Sequence, residues 1–477
     1  MLGALVLAPV LLLAAIWHSP QLSIVHRHPL VAVVVALVGL ALVVALAVVI
    51  SRRPWLVAPL AVVTLPFRIP ISAGGTTSNL LVPLYVVVGA GALAAIVPTW
   101  RGGDPATAPP ANGDAPAAGR LPGRSWLERL LALYVALYAI QAIYSPAFET
   151  ALQQMVFFYV PFALLFCLLR ELRWTRRLLR TCLILVAGLA VLFATVGFVE
   201  YATKTLFLNP KLIAENNVHT YFAINSVFFD ADIFGRFLAL VMIMLAAVLI
   251  YGRRQREQVI VVIVLAVLWA GLVLTLSRSS LAALLVGLGI LGAMRWKAKP
   301  ILIVACAVLA LGSAALAVSP KTFGLNQGLN GASSGRAGLV SGGIQLFGDR
   351  PLWGYGSGSF ETEYRRLHPA TSATLSASHT IAITIAAEQG LIGELAYLAL
   401  VITAGVMLVR GARVSPARAA IAAAFLALVF HTELYADFLE DPIAWTLLGI
   451  GLALAYASRS GAEQTVAQAD ELTAIAA

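Results

Sequence analysis

Long apolar runs separated by short polar turns fill most of this chain. They fall at roughly 2–17, 30–50, 54–68, 80–98, 126–144, 152–169, 181–200, 232–251, 259–276, 279–294, 301–318, 379–409, 419–435 and 442–457, and most reach the length that crosses a bilayer core. Three runs (2–17, 54–68 and 279–294) are short, so the pattern predicts about twelve to fourteen spans in an all-α, polytopic membrane helix bundle. Leu2–Trp17 has neither the basic start nor the small-residue cleavage site of a signal peptide and is taken as a span. The pattern stops once at length. From Ser319 to Ser378 the chain is polar and Gly-rich, and a long loop of this kind inside a compact protein usually carries function. The expected organisation is N-terminal transmembrane helices over 1–98, a Pro/Ala/Gly-rich cytoplasmic linker over 99–125 and a transmembrane core over 126–318. The long extracytoplasmic loop over 319–378, the C-terminal transmembrane helices over 379–457 and a polar tail over 458–477 follow.

Composition agrees with a membrane solvent. The chain is 60% hydrophobic and 11% charged, with a mean hydropathy of +0.91, more apolar surface than a soluble domain can hide. A formal charge of +10 points to basic inner loops rather than to nucleic acid. With both termini placed in the cytoplasm, 21 of the 32 Lys and Arg fall on the inner side, concentrated in RELRWTRRLLR (170–180) and GRRQREQ (252–258). The long loop then faces outward, where cytosolic ATP and nucleotide sugars are absent. Cys167, Cys182 and Cys306 show no paired or metal-ligand spacing and read as small buried apolar residues. No internal repeat marks an inverted-topology transporter.

Polar chemistry gathers at the outer ends of spans. Arg278, in LTLSRSSLAALL, sits where two apolar runs turn, either as a functional cation or as a snorkelling hairpin Arg. Arg336 opens RAGLVSGGIQLF, an amphipathic stretch that predicts a short surface helix, and its planar guanidinium suits phosphate oxygens. The following segment holds Arg350 and glycines at 354, 356 and 358. The glycines let backbone N–H groups approach an anion or, more simply, form a turn packed by Trp353 and Phe360. His379 begins a span, where the helix dipole favours a neutral imidazole able to accept a proton. Glu388, nine residues on, lies too far along the helix to form a dyad with it and is assigned to packing or to a neighbouring Arg. Asp230-Ala231-Asp232 resembles the Asp-x-Asp of metal-dependent sugar transferases, but helix capping by Asp230 with an Asp232–Arg236 pair one turn apart explains it more simply. His431, Glu433 and Asp437 form a second outer cluster, read as interfacial anchoring.

Arg336, the run DRPLWGYGSGSF (349–360) and His379, followed after ten residues by Gly390, together resemble the signature of the O-antigen ligase and O-antigen polymerase superfamily. SRSS around Arg278 resembles that superfamily's upstream Arg motif. The motif likeness covers roughly 274–393, with Thr380 where the family usually has Asn and Val340 where it usually has Leu. The resemblance implies a C-type glycosyltransferase fold and a metal-independent, inverting enzyme without cofactor in the bacterial cytoplasmic (inner) membrane. Its donor would be a polyprenyl-diphosphate-linked glycan such as an undecaprenyl diphosphate oligosaccharide, and its acceptor a sugar hydroxyl of a glycan or glycolipid. Arg336 and Arg278 would hold the donor diphosphate, Arg350, Gly354, Gly356 and Gly358 would supply loop contacts, and His379 would activate the acceptor. A polymerase of repeat units is slightly favoured over a ligase. The alternative is a glycolipid flippase or secondary transporter, which calls for polar or broken helices at mid-membrane in two symmetric halves.

The topology is testable by labelling cysteines introduced at Ser357 and Ser460 with a membrane-impermeant maleimide. Labelling from outside for the loop and from inside for the tail is expected; loop labelling from the cytoplasmic side alone overturns the orientation.

Overall fold

A computed structural model of the chain describes residues 29–73, 76–100, 125–207, 222–296, 336–369, 378–435 and 439–458, with a few single positions besides. In chain order its elements are α1 (Pro29–Arg52), α2 (Val57–Thr64), a hairpin of β1 (Ile69–Ala73) and β2 (Thr76–Leu80), and α3 (Val82–Trp100). Next come α4 (Trp126–Ala142), α5 (Phe148–Glu171, with a π-helical turn at Met155–Tyr159), α6 (Arg176–Thr203), α7 (Ala231–Tyr251), α8 (Gln255–Leu274) and α9 (Arg278–Arg295). The chain closes with α10 (Arg336–Asp349), α11 (Phe360–Leu367), α12 (Ile381–Val409), α13 (Pro416–Thr432) and α14 (Pro442–Ser458).

Among the described residues, seven helices (α1, α5, α6, α7, α8, α9 and α12) are long and apolar enough to cross a membrane. Shorter apolar helices add Pro54–Thr64, Val82–Ile96, α13 and α14. Each predicted run from 30–50 to 279–294, and from 379–409 onward, coincides with a helix. The runs at 2–17 and 301–318 lie outside the described residues, as do the linker, Cys306, Asp437 and much of the long loop. The small antiparallel hairpin, which pairs Ile69 with Leu80 and Ala73 with Thr76, is an addition to the all-helical expectation.

Local sequence sets the helix starts. Ser125 and Glu128 form a reciprocal capping box on α4, Thr175 caps α6, Asp230 caps α7 and Ser277 caps α9. The core is built around α7, buried over 78% of its most apolar window, whereas α1 is buried over only 11% and exposes its Val and Leu side chains as a lipid-facing helix does. α7 packs against α6, α8, α9 and α13. Small residues permit the approach: a Cβ at Gly235 would lie 2.8 Å from the Ser280 hydroxyl, and one at Gly287 would overlap Ile243. α13 contributes an unbroken buried stretch from Ala419 to Phe425. The basic residues of 170–180, 253–256, 295 and 410–418 sit where α5, α7, α9 and α12 end and α6, α8 and α13 begin. The starts of α7, α9 and α12 and the end of α13 lie at the opposite end of the bundle.

One expected contact does not form. Arg236 does not pair with Asp232. Its Nη2 lies 2.8 Å from Asp441 Oδ2, with both side chains almost fully buried (2% and 3% exposed). One turn into α7, Arg236 is too deep for water and takes the carboxylate that heads α14, whose Oδ1 also accepts from the Ile443 N–H at 2.8 Å. Ser357 is buried too, its hydroxyl donating to the Tyr138 carbonyl at 2.9 Å, so the exposed Gln345 on α10 is the better position for an outer label.

Removing one member of this pair strands the other in the core. Asp441→Ala is expected to cost about 3–5 kcal/mol of stability, read as a lowered Tm in detergent. The double replacement Arg236→Met with Asp441→Leu recovers most of it, and a single variant as stable as wild type removes the pair from the fold's foundations.

Candidate functional site

The Gly-rich run that the sequence singles out is docked into the bundle at a break in α12. Gly390 adopts φ 64° and ψ −165°, interrupting that helix. The exposed peptide groups are taken up by the chain at 351–356: the Leu391 N–H donates to the Pro351 carbonyl at 2.7 Å, and the Gly356 N–H donates to the Glu388 carbonyl at 2.7 Å. The buried Glu388 carboxylate accepts from the Gly358 N–H at 2.8 Å and the Phe360 N–H at 3.0 Å, the latter opening α11. Gln141 and Tyr144 close the other side: the Gln141 amide donates to the Gln389 carbonyl at 3.1 Å, and the Tyr144 hydroxyl donates to the Trp353 carbonyl at 2.6 Å. The glycines are explained by this contact. Gly354 (φ 67°) lies so close to the Glu388 carbonyl that a Cβ would overlap it, and Gly356 (φ 104°) abuts Ser145 in the same way. Phe360 is buried, whereas Trp353 is exposed.

α10, which Arg336 opens, packs on α12, with Gly343 against Ile383, and on α11, with Gly342 against Tyr364. This places Arg336 at the end of the bundle where α7, α9 and α12 begin. Arg336 Nη2 lies 3.4 Å from Asp232 Oδ2, and its Nη1 donates to the Leu434 carbonyl at 3.1 Å. Asp232 Oδ1 accepts hydrogen bonds from Ser277 and, at 3.1 Å, from Ser279. The Ser279 and Ser280 hydroxyls reach His431 Nε2 at 3.3 and 3.2 Å. His431 is fully buried, so the expected interfacial anchor is a core residue tied to this cluster.

His379, half-buried just before α12, is held at φ 61°, a left-handed conformation that few residues other than glycine adopt. Its ring meets the Tyr435 ring edge-on at 5.8 Å between centroids. The Tyr435 hydroxyl donates to Asp230 Oδ2 at 2.7 Å. Burial, and secondarily the charge of Asp232, push the Asp230 carboxyl up to about 6. Thr380 donates to the Glu433 carbonyl at 3.1 Å. Arg336 and His379, 43 positions apart, thus meet the adjacent residues Leu434 and Tyr435. Arg278 is exposed next to the Ser277 that binds Asp232, and Arg350 lies 4.5 Å over the Tyr355 ring.

Residues 262–398 match the family model described as O-Antigen ligase (Wzy_C). The chain carries an O-antigen ligase domain. The matched segment runs from within α8 to the middle of α12 and contains Arg278, Arg336, His379 and Glu388. No curated protein matches the chain. The chain is therefore a multi-pass helical membrane protein whose residues 262–398 support an O-antigen ligase-like function; the family of that model is glycosyltransferase-like and works on lipid-linked glycans in a membrane setting. Asp232, His431 and Tyr435 lie outside the matched segment; the sequence offered Asp232 only as part of an Asp-x-Asp or a helix pair and His431 only as an anchor, and it did not single out Tyr435.

Within this O-antigen ligase domain, Gly354→Ala forces a left-handed alanine into the Glu388 carbonyl, whereas Gly348→Ala meets open space. Gly354→Ala is expected to lose about 2 kcal/mol or more and most transfer activity, with Gly348→Ala close to wild type in both. Equal behaviour of the two in thermal unfolding and turnover contradicts the docked geometry.

Proposed function

We propose that this protein transfers a polyprenyl-diphosphate-linked oligosaccharide to a sugar hydroxyl on the outer face of the bacterial cytoplasmic membrane, by an inverting reaction that needs no divalent metal. The observation that carries this reading is the convergence of Arg336 and His379 on the Leu434–Tyr435 corner, Arg336 bonding the Leu434 carbonyl and His379 packing on the Tyr435 ring. A guanidinium fixed on one nitrogen still offers a second to an anion. In the reaction the acceptor oxygen bonds to the anomeric carbon as the bond from that carbon to the diphosphate oxygen breaks. The electron pair leaves with the lipid diphosphate, whose growing charge Arg336 stabilises, with Arg278 at the margin of the same site. His379 accepts the proton of the acceptor hydroxyl. Both steps run at the end of the bundle away from the basic loops, and the donor carries its own leaving group. We favour polymerisation of repeat units slightly over ligation to a terminal acceptor, since nothing in the sequence signals a specialised lipid acceptor.

Purified protein with a lipid-linked glycan donor and a glycan acceptor tests this. Arg336→Lys keeps the charge and loses the planar fork. A fall of roughly a hundredfold in turnover with intact folding is expected, equivalent to about 3 kcal/mol in the barrier. His379→Ala should bind donor normally and abolish transfer, while EDTA changes neither. Transfer that survives in His379→Ala, or that EDTA stops and manganese restores, refutes the mechanism; donor movement across vesicles without glycan transfer supports a flippase instead.

A further inference from the structure

Asp232 has no role in the chemistry set out above, yet it is the most connected polar group at the site. It does not cap α7, a task performed by Asp230, whose Oδ1 accepts from the Asp232 N–H at 2.6 Å. Its carboxylate sits instead against the guanidinium edge offered to the donor: Oδ2 is 3.4 Å from Arg336 Nη2, and Oδ1 is held by Ser277 and Ser279. These serines descend through Ser280 and His431 into the core, so the carboxylate is fixed in place. Gly235, one turn on, lets α7 approach α9 closely enough for the serines to reach it. Arg336 and Asp232 keep 37% and 22% exposure, which leaves the pair open to exchange with an incoming anion.

We propose that Asp232 is a positioning residue that occupies Arg336 between turnovers and competes with the diphosphate for it, which sets how tightly donor is held and how readily the spent lipid diphosphate leaves. The proposal rests on the diphosphate reading of Arg336. Its chemistry is that of two anions sharing one guanidinium. While the carboxylate is in place the cation is never bare beside the membrane. When a diphosphate arrives it must displace that contact, so its affinity is lowered by what the ion pair contributes.

The test is equilibrium binding of inorganic pyrophosphate to the purified full-length protein, measured by calorimetry, with thermal unfolding followed in parallel. Asp232→Asn removes the competing charge in the same shape and is expected to tighten pyrophosphate roughly two- to fivefold, the range set by a partly exposed ion pair. Asp232→Glu stays close to wild type. In an Arg336→Gln background, Asp232→Asn should have no further effect, because the competition acts through that guanidinium. Unchanged or weaker pyrophosphate binding in a folded Asp232→Asn protein overturns the proposal, as does tightening that persists without Arg336. If Asp232→Asn does not fold, Asp232→Ser carries the same expectation. Pyrophosphate that binds wild type and Arg336→Gln equally well sinks the diphosphate reading itself, an outcome distinct from a failure of Asp232 alone.

Discussion

A helix broken inside a membrane protein leaves peptide groups that water cannot reach, and this chain resolves the break at Gly390 by bringing in a second piece of backbone. The Glu388 carboxylate and its carbonyl hold the peptide groups at 356, 358 and 360, and the carbonyls at 351 and 352 receive the N–H groups at 391 and 392. The rest of this end of the bundle depends on this junction. It fixes the start of α11 and the end of α10, and α10 in turn carries Arg336 across α12 toward α7. A flexible loop of the same composition would leave the guanidinium free to sample many positions. Docked backbone removes that freedom before any substrate arrives.

At the far end of α10 the same economy of pairing governs charge. Asp232 meets Arg336, its serine partners meet His431, and Asp230 meets Tyr435, so each ionisable group at the corner has a polar neighbour. Deeper in the bundle Arg236 and Asp441 neutralise one another. The two pairs differ in exposure, and that difference separates their roles. The buried pair is fixed because breaking it leaves a charge without solvent. The outer pair can exchange partners because water shares the cost.

The helices were legible because their signal is local. An apolar run of span length reads as a helix whatever surrounds it, and the starts at Asp230, Ser277 and Thr175 carry capping residues. The conspicuous site residues were legible for another reason: Arg336 opens an amphipathic stretch inside the long polar loop, and His379 stands where that loop gives way to a span. What the sequence did not reveal was partnership. Asp232 and Arg236, four apart on one helix, looked like a pair, yet they bond residues 104 and 205 positions away. Helical spacing brings side chains to one face but does not say which neighbouring helix that face meets. Glu388 shows the same limit: its partners are backbone N–H groups, which leave no mark in composition.

The glycines of 354–358 carry the argument a step further. Read as a sequence, they suggest N–H groups free to meet an anion or, more simply, a packed turn; in the structure their positive φ angles serve close contacts with α12, with the end of α4 and with α5. Their N–H groups are engaged by the fold itself, donating to the Arg350 carbonyl and to the Glu388 carbonyl and carboxylate. Lys would bring the same charge as Arg336, but a single ammonium centre is less suited to bonding the Leu434 carbonyl in one direction and the Asp232 carboxylate in another, which the guanidinium does with separate nitrogens. Asp230 adds a pH dependence to this arrangement. Its carboxyl, pushed up to about 6, takes a proton as pH falls through that value, so the corner loses negative charge. Above that value the Asp230 carboxylate is charged and adds to the negative field at the corner.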